Sequence, residues 1–163
     1  MSHCYSYIFV VALAIVALDQ TTKAYIATVL PLNNAIVVIP DFFDLVHVLN
    51  RGAAFSFMNR EDIVWQRFLL IGTSLVAIAI ILWIVRNLNE PKWLLITGLG
   101  LILGGTVGNL TDRVRMGQVI DFLDLYIRSY HWPAFNVADS AITVGVGMLL
   151  WSIMRTKPKG NAI

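Results

Sequence analysis

The sequence predicts a membrane-embedded all-α bundle of four transmembrane helices that carries a small β-sheet and a short interfacial helix on one face of the bilayer. Three observations lead there. The 163 residues are 58% hydrophobic and only 13% charged, with a mean hydropathy of +0.73, well outside the range of soluble domains. Two uncharged runs, Phe68 to Val85 and Trp93 to Thr111, are 18 and 19 residues long, enough for a helix to cross the hydrocarbon core. The stretches around them change character, one rich in strand formers and one amphipathic. A chain of this length has room for one domain, so residues 1–163 are expected to form a single integral membrane unit.

The first span is expected at about residues 5–30. Ile8 to Leu18 has the length of a secretory h-region, but Met1 to Ser6 carries no Lys or Arg. Apolar character also resumes from Ala24 to Leu30, so the segment reads as a retained helix. Residues 31–62 follow, with the strand formers Val37, Val38, Ile39, Phe42, Phe43, Val46, Val48 and Phe55 interrupted by Pro40 and Gly52. A small sheet at the membrane surface fits that composition. The second and third spans, about 66–86 and 93–112, are separated by Arg86 to Lys92, where Asn87, Asn89 and Pro91 end helices and form turns. They should form an antiparallel hairpin. In residues 112–133, Phe122, Leu123, Tyr126 and Ile127 recur at helical spacing and Trp132 suits the interface, which predicts an interfacial helix over about 121–131. The fourth span, about 136–155, has Asp139 near its start. The tail containing Lys157, Pro158, Lys159 and Gly160 is expected to be disordered.

Several functional classes drop out at this stage. The net charge is +2, but the 12 basic residues are scattered, with five in Arg86 to Lys92 and Arg155 to Lys159, which argues against nucleic-acid binding. Cys4 is the single cysteine, so neither an internal disulfide nor a Cys-rich metal site can form within the chain. His3, His47 and His131 show no helical His-Glu pattern for zinc. No metal and no cofactor is expected. Lys and Arg counts leave the orientation open: Arg86, Lys92, Arg155, Lys157 and Lys159 flank one side, and Arg51, Arg60, Arg67, Arg113, Arg115 and Arg128 are spread over longer loops on the other.

Ionisable residues at a membrane boundary are expensive unless paired or wetted, so each acid is a functional candidate with an ordinary explanation beside it. Asp19 and Lys23 are four residues apart on one helix face and can neutralise each other, as a structural ion pair or as a charge beside a site. Gly104 and Gly108 have the spacing that lets membrane helices approach closely, and Asn109, Asp112 and Arg113 follow at the helix end. Asp121 could open the interfacial helix, favoured by its dipole. Asn136 and Asp139 have the spacing of a capping box. Two carboxylates held close share a proton and supply a base and an acid together, which is the chemistry of aspartic peptidases. A Ser-Lys dyad of Ser56 or Ser140 with Lys23 is a weaker alternative. A small proton-coupled transporter or channel, or a structural scaffold, would use the same acids differently.

Five stretches resemble the lipoprotein signal peptidase (signal peptidase II) family, in the family's order: Asp19-Gln-Thr-Thr-Lys23, Asn50-Arg-Gly-Ala-Ala-Phe-Ser56, Gly108-Asn-Leu-Thr-Asp-Arg113, Val119-Ile-Asp-Phe122 and Pro133-Ala-Phe-Asn-Val-Ala-Asp-Ser140. The resemblance implies a bacterial inner-membrane protein with both termini in the cytoplasm and with its sheet and site on the outer, periplasmic side. It implies cleavage of a prolipoprotein just before a cysteine that already bears a diacylglyceryl group. The family's catalytic aspartates fall on Asp121 and Asp139. Asn50, Asn109, Arg113 and Asn136 should line the site, supported by Asp19, Lys23, Asp112 and Ala138. Asp124 is an extra acid that the family pattern does not require. The expected partners are the lipidated prolipoprotein and membrane lipids, with the chain acting as a monomer.

Overall fold

The computed structural model describes residues 2–52, 64–88 and 92–155. Eight elements follow in chain order: α1 (Ser2–Val29), β1 (Ala35–Ile39), β2 (Phe43–Asn50), α2 (Val64–Arg86), α3 (Trp93–Met116), β3 (Val119–Ile127), β4 (Tyr130–His131) and α4 (Val137–Met154). All four helices are long and apolar enough to cross a membrane. Their outward faces carry exposed Leu, Ile, Val and Phe side chains, as expected where lipid rather than water is the neighbour.

α3 is the central helix. Within its span 56% of residues are buried by protein, against 17%, 17% and 22% for α1, α2 and α4. Small residues make this possible: a side chain at Gly104 would come within 2.7 Å of the Ala12 carbonyl of α1, so only glycine allows the two backbones to meet there. Ile8 and Ala12 of α1, Ile81 and Val85 of α2, and Ile96, Leu99 and Leu103 of α3 then close into one apolar core.

The sheet is antiparallel in the order β1-β2-β3-β4. Pro40 and Asp41 lie in the turn between β1 and β2, where Asp41 takes φ 62°, and Gly52 follows β2 at φ 106°. Phe55 and the rest of 53–63 lie outside the described residues, as do Asn89, Pro91 and the tail from residue 156. Ile26 and Leu30 at the end of α1 pack on Phe122 of β3 and fix the sheet to the bundle. His47 sits at an irregularity in β2 and is buried; its Nδ1 donates to the Leu30 carbonyl at 2.8 Å, satisfying an orphan acceptor at the helix end.

The interfacial helix predicted over 121–131 is not formed. That stretch is strand β3 with the short β4 returning beside it, Tyr126 opposite His131 and Ile127 opposite Tyr130. The spacing of Phe122, Leu123, Tyr126 and Ile127 suits a helix, but the run Val119–Ile127 is rich in β-branched and aromatic residues, and β2 offers a free edge. Pairing with that edge decides the conformation.

Candidate active site

The residues singled out in the sequence converge at one end of the bundle, from five elements. α1 brings Asp19 and Lys23, β2 brings Asn50, α3 brings Asn109, Asp112 and Arg113, β3 brings Asp121, and the start of α4 brings Asn136, Ala138 and Asp139. A cleft of about 630 Å³ opens there, with Asn50, Arg113, Asp121 and Asp139 in its lining together with Trp132, Pro133, Ala134 and Phe135.

Asparagine amides hold both carboxylates. Asn50 Nδ2 donates to Asp121 Oδ2 at 2.9 Å and Asn136 Nδ2 to Asp121 Oδ1 at 2.6 Å. Asn109 Nδ2 donates to Asp139 Oδ1 at 2.7 Å. Asn136 also caps α4: its side-chain oxygen accepts from the Asp139 N–H at 3.0 Å, and its own backbone N–H donates to Asp139 Oδ2 at 3.3 Å. The capping box is therefore real, and it orients Asp139 with one oxygen while the other takes the Asn109 bond. Asn136 touches both acids and is fully buried.

The two acids sit in different surroundings. Asp121 is 2% exposed, whereas Asp139 is half-buried at the helix start. Burial pushes the Asp121 carboxyl up from its ordinary 3.8 to about 6; the hydrogen bonds from Asn50 and Asn136 oppose the rise and the neighbouring Asp139 charge adds to it.

Behind the cleft lies a buried ionic network. Lys23 Nζ is 2.8 Å from Asp19 Oδ2 and 2.7 Å from Asp112 Oδ2, and it donates to Asn109 Oδ1 at 2.9 Å. That last bond turns the Asn109 amide so that its Nδ2 meets Asp139. Asp19 Oδ1 accepts the Ala138 N–H at 3.0 Å, tying the first turn of α4 to α1. A side chain at Gly108 would come within 2.6 Å of Asp19 Oδ2, so glycine is required for this approach. The ion pair of Asp19 and Lys23 is thus buried and bonded to Asn109 and to the Ala138 N–H.

Gln20 was not singled out in the sequence. Its Nε2 lies 3.1 Å from Asp19 Oδ2, 2.9 Å from Asp112 Oδ1 and 3.3 Å from the Gly108 carbonyl, joining the two acids that flank Lys23. Its place between Asp19 and Lys23 was the available signal, but spacing alone gives the residue after an acid no partner. Asp124 points elsewhere and pairs with His131 at 2.8 Å. Ser140 Oγ donates to the Asn136 carbonyl at 2.9 Å, and Lys23 is held by acids, an arrangement unlike a Ser-Lys dyad. Ser56 lies outside the described residues.

The family described as signal peptidase (SPase) II matches residues 11–155, nearly the whole chain. This chain belongs to the signal peptidase II family. It is 46% identical over 150 residues to the lipoprotein signal peptidase of Oleidesulfovibrio alaskensis, covering 92% of this chain and 96% of that one. It is 48% identical over 143 residues to that of Syntrophotalea carbinolica, covering 88% of each. Two solved structures of bacterial membrane enzymes, obtained by the in meso method, share the fold. One has a TM-score of 0.81 at 26% identity, covering 93% of this chain and 95% of the other; the second has 0.82 at 25%, covering 97% and 93%. Family membership makes the chain a peptidase, and with its four apolar helices a multi-pass bacterial membrane protein.

Proposed function

We propose that this peptidase is an aspartic endopeptidase that removes the signal peptide from diacylglyceryl-modified prolipoproteins, cutting just before the lipidated cysteine, with Asp121 and Asp139 as its catalytic pair. The observation that carries this reading is the single cleft lined by both carboxylates, each held by its own asparagine donor and sharing Asn136. The names of the relatives supply the substrate class.

The chemistry follows from the pair. One carboxylate draws a proton from a water bound between them, and the water oxygen attacks the scissile carbonyl. The other carboxyl group protonates the developing oxyanion; as the tetrahedral intermediate collapses, the first passes the proton it took from water to the leaving nitrogen and the second takes back a proton from a diol hydroxyl, which restores the pair. No covalent enzyme intermediate is needed. The asparagines hold the acids in place without adding charge, while behind them the one cation Lys23 is shared between Asp19 and Asp112. The cleft faces the periplasm in this reading, both termini lie in the cytoplasm, and the chain acts alone on a substrate delivered through the plane of the membrane.

The test uses purified chain and a lipidated prolipoprotein. Cleavage should survive chelators and serine reagents and fall by on the order of 10²–10⁴-fold or more in Asp121→Asn and in Asp139→Asn. Normal turnover by either folded variant would remove that residue from the pair.

A further inference from the structure

Behind the cleft one cation serves two buried acids, and their hydrogen bonds are divided unequally. Asp19 has three donors: Lys23 Nζ at 2.8 Å and Gln20 Nε2 at 3.1 Å on Oδ2, and the Ala138 N–H at 3.0 Å on Oδ1. Asp112 is 2% exposed, yet among the described residues its carboxylate receives a single hydrogen bond, from Gln20 Nε2 to Oδ1 at 2.9 Å. Its Oδ2 lies 2.7 Å from Lys23 Nζ without an aligned hydrogen bond. The aligned Lys23 bonds go instead to Asp19 Oδ2 and, at 2.9 Å, to Asn109 Oδ1. Surroundings fix the Gln20 amide as well. Asp19 Oδ2, Asp112 Oδ1 and the Gly108 carbonyl are all acceptors, so Nε2 and not Oε1 faces them. Gln20 itself lies outside the cleft lining.

We propose that Gln20 is a positioning residue for Asp139: by supplying the hydrogen bond that Asp112 needs, it leaves Lys23 to orient the Asn109 amide. The proposal rests on the peptidase reading above, in which Asp139 is one of the catalytic pair. A buried carboxylate without a donor is costly, and Lys23 is the donor at hand beside Asp112. Without Gln20 the ammonium turns toward Asp112 and gives up the weaker of its two aligned bonds, the one to the neutral Asn109 oxygen. Asn136 cannot replace it. Its Nδ2 reaches Asn109 Oδ1 at 3.2 Å but is shared with Asp121 Oδ1 at 2.6 Å and the Ile120 carbonyl at 3.3 Å. A released Asn109 amide is free to rotate, which takes its Nδ2 away from Asp139 Oδ1, now 2.7 Å distant. The effect runs from Gln20 through Asp112, Lys23 and Asn109 to Asp139, and it alters no substrate contact.

The experiment compares cleavage of a lipidated prolipoprotein by wild type, Gln20→Met, Asp112→Leu and the double variant. Gln20→Met keeps the length of the side chain but not its donor. It should lower kcat by about tenfold, the order expected for one hydrogen bond, at unchanged KM. With Asp112→Leu in place nothing draws Lys23 from Asn109, so adding Gln20→Met should change kcat by less than about twofold. In ¹⁵N-labelled enzyme the Asn109 side-chain proton on the short bond to Asp139 should resonate downfield, and Gln20→Met should abolish that shift. If Gln20 only packed α1 against α3, its loss would slow Asp112→Leu by the same factor as wild type. Unchanged kcat in folded Gln20→Met, a loss carried by KM, additive losses in the double variant or an unmoved Asn109 resonance would overturn the proposal. If Gln20→Met alone fails to fold, the comparison of Asp112→Leu with the double variant decides. Failure of the wild type to cleave, or normal cleavage by Asp139→Asn, would refute the peptidase reading instead.

Discussion

Replacing Asp121 by Asn should abolish activity and change how stability depends on pH. The carboxyl has a native pKa of about 6 against an ordinary 3.8, so the folded chain holds this proton more tightly than the unfolded chain does. The sign follows from linkage. Below pH 3.8 the group is protonated in both states; between 3.8 and about 6 only the folded state keeps the proton, and wild-type stability falls as pH rises through that window. Each pKa unit is worth about 1.4 kcal/mol, so the full effect is about 3 kcal/mol. Asn at this position does not titrate. It does lose an acceptor, because Asn50 and Asn136 both donate to Asp121 and an amide can receive only one of them without a donor facing a donor. That loss costs about 1–2 kcal/mol at every pH. Asp121→Asn should therefore be less stable than wild type near pH 4 and more stable by about 1–2 kcal/mol above pH 7. Reversible unfolding of both chains in bicelles, read between pH 4 and 8 beside the cleavage assay, measures the difference. Two stability curves that run parallel over this range would refute the reasoning, whatever their offset.

Other outcomes follow from the same geometry. Asp139→Asn removes a negative neighbour and should lower the Asp121 pKa below 6, whereas Asn50→Ala removes a donor to its charged form and should raise it; carboxyl infrared difference spectra would read both. Lys23→Met leaves Asp19 and Asp112 buried without their cation and should destabilise the fold by about 3–5 kcal/mol, measured by denaturant titration in detergent. Gly108→Ala drives a methyl group into Asp19 and should cost about 1–3 kcal/mol. Because Asp19 holds the Ala138 N–H, the same change should depress cleavage by displacing Asp139, seen as a lower kcat at similar KM.

Much of the fold was legible without coordinates. Phe68 to Val85 and Trp93 to Thr111 announce helices because bilayer thickness sets a minimum apolar length, and no packing detail can alter that requirement. The run of Val37, Val38 and Ile39 before Pro40 announces strand and turn for equally local reasons. The acids were visible too, since a charge at a membrane boundary demands a partner or a purpose. Local pattern failed where two conformations were comparably favourable. Residues 121–131 satisfy helical spacing and strand composition alike, and only the edge of β2, more than seventy residues earlier in the chain, selects the strand.

The site itself belongs to tertiary structure. Asp19 meets the Ala138 N–H across 119 positions, and Asn50 meets Asp121 across 71, separations at which sequence spacing carries no geometry. Sequence and resemblance together determined which residues to watch. Their common cleft, the bridging of both acids by Asn136 and the place of Gln20 were decided by helix approach at glycine and by strand pairing. Those contacts form only when distant segments pack, so no local pattern records them.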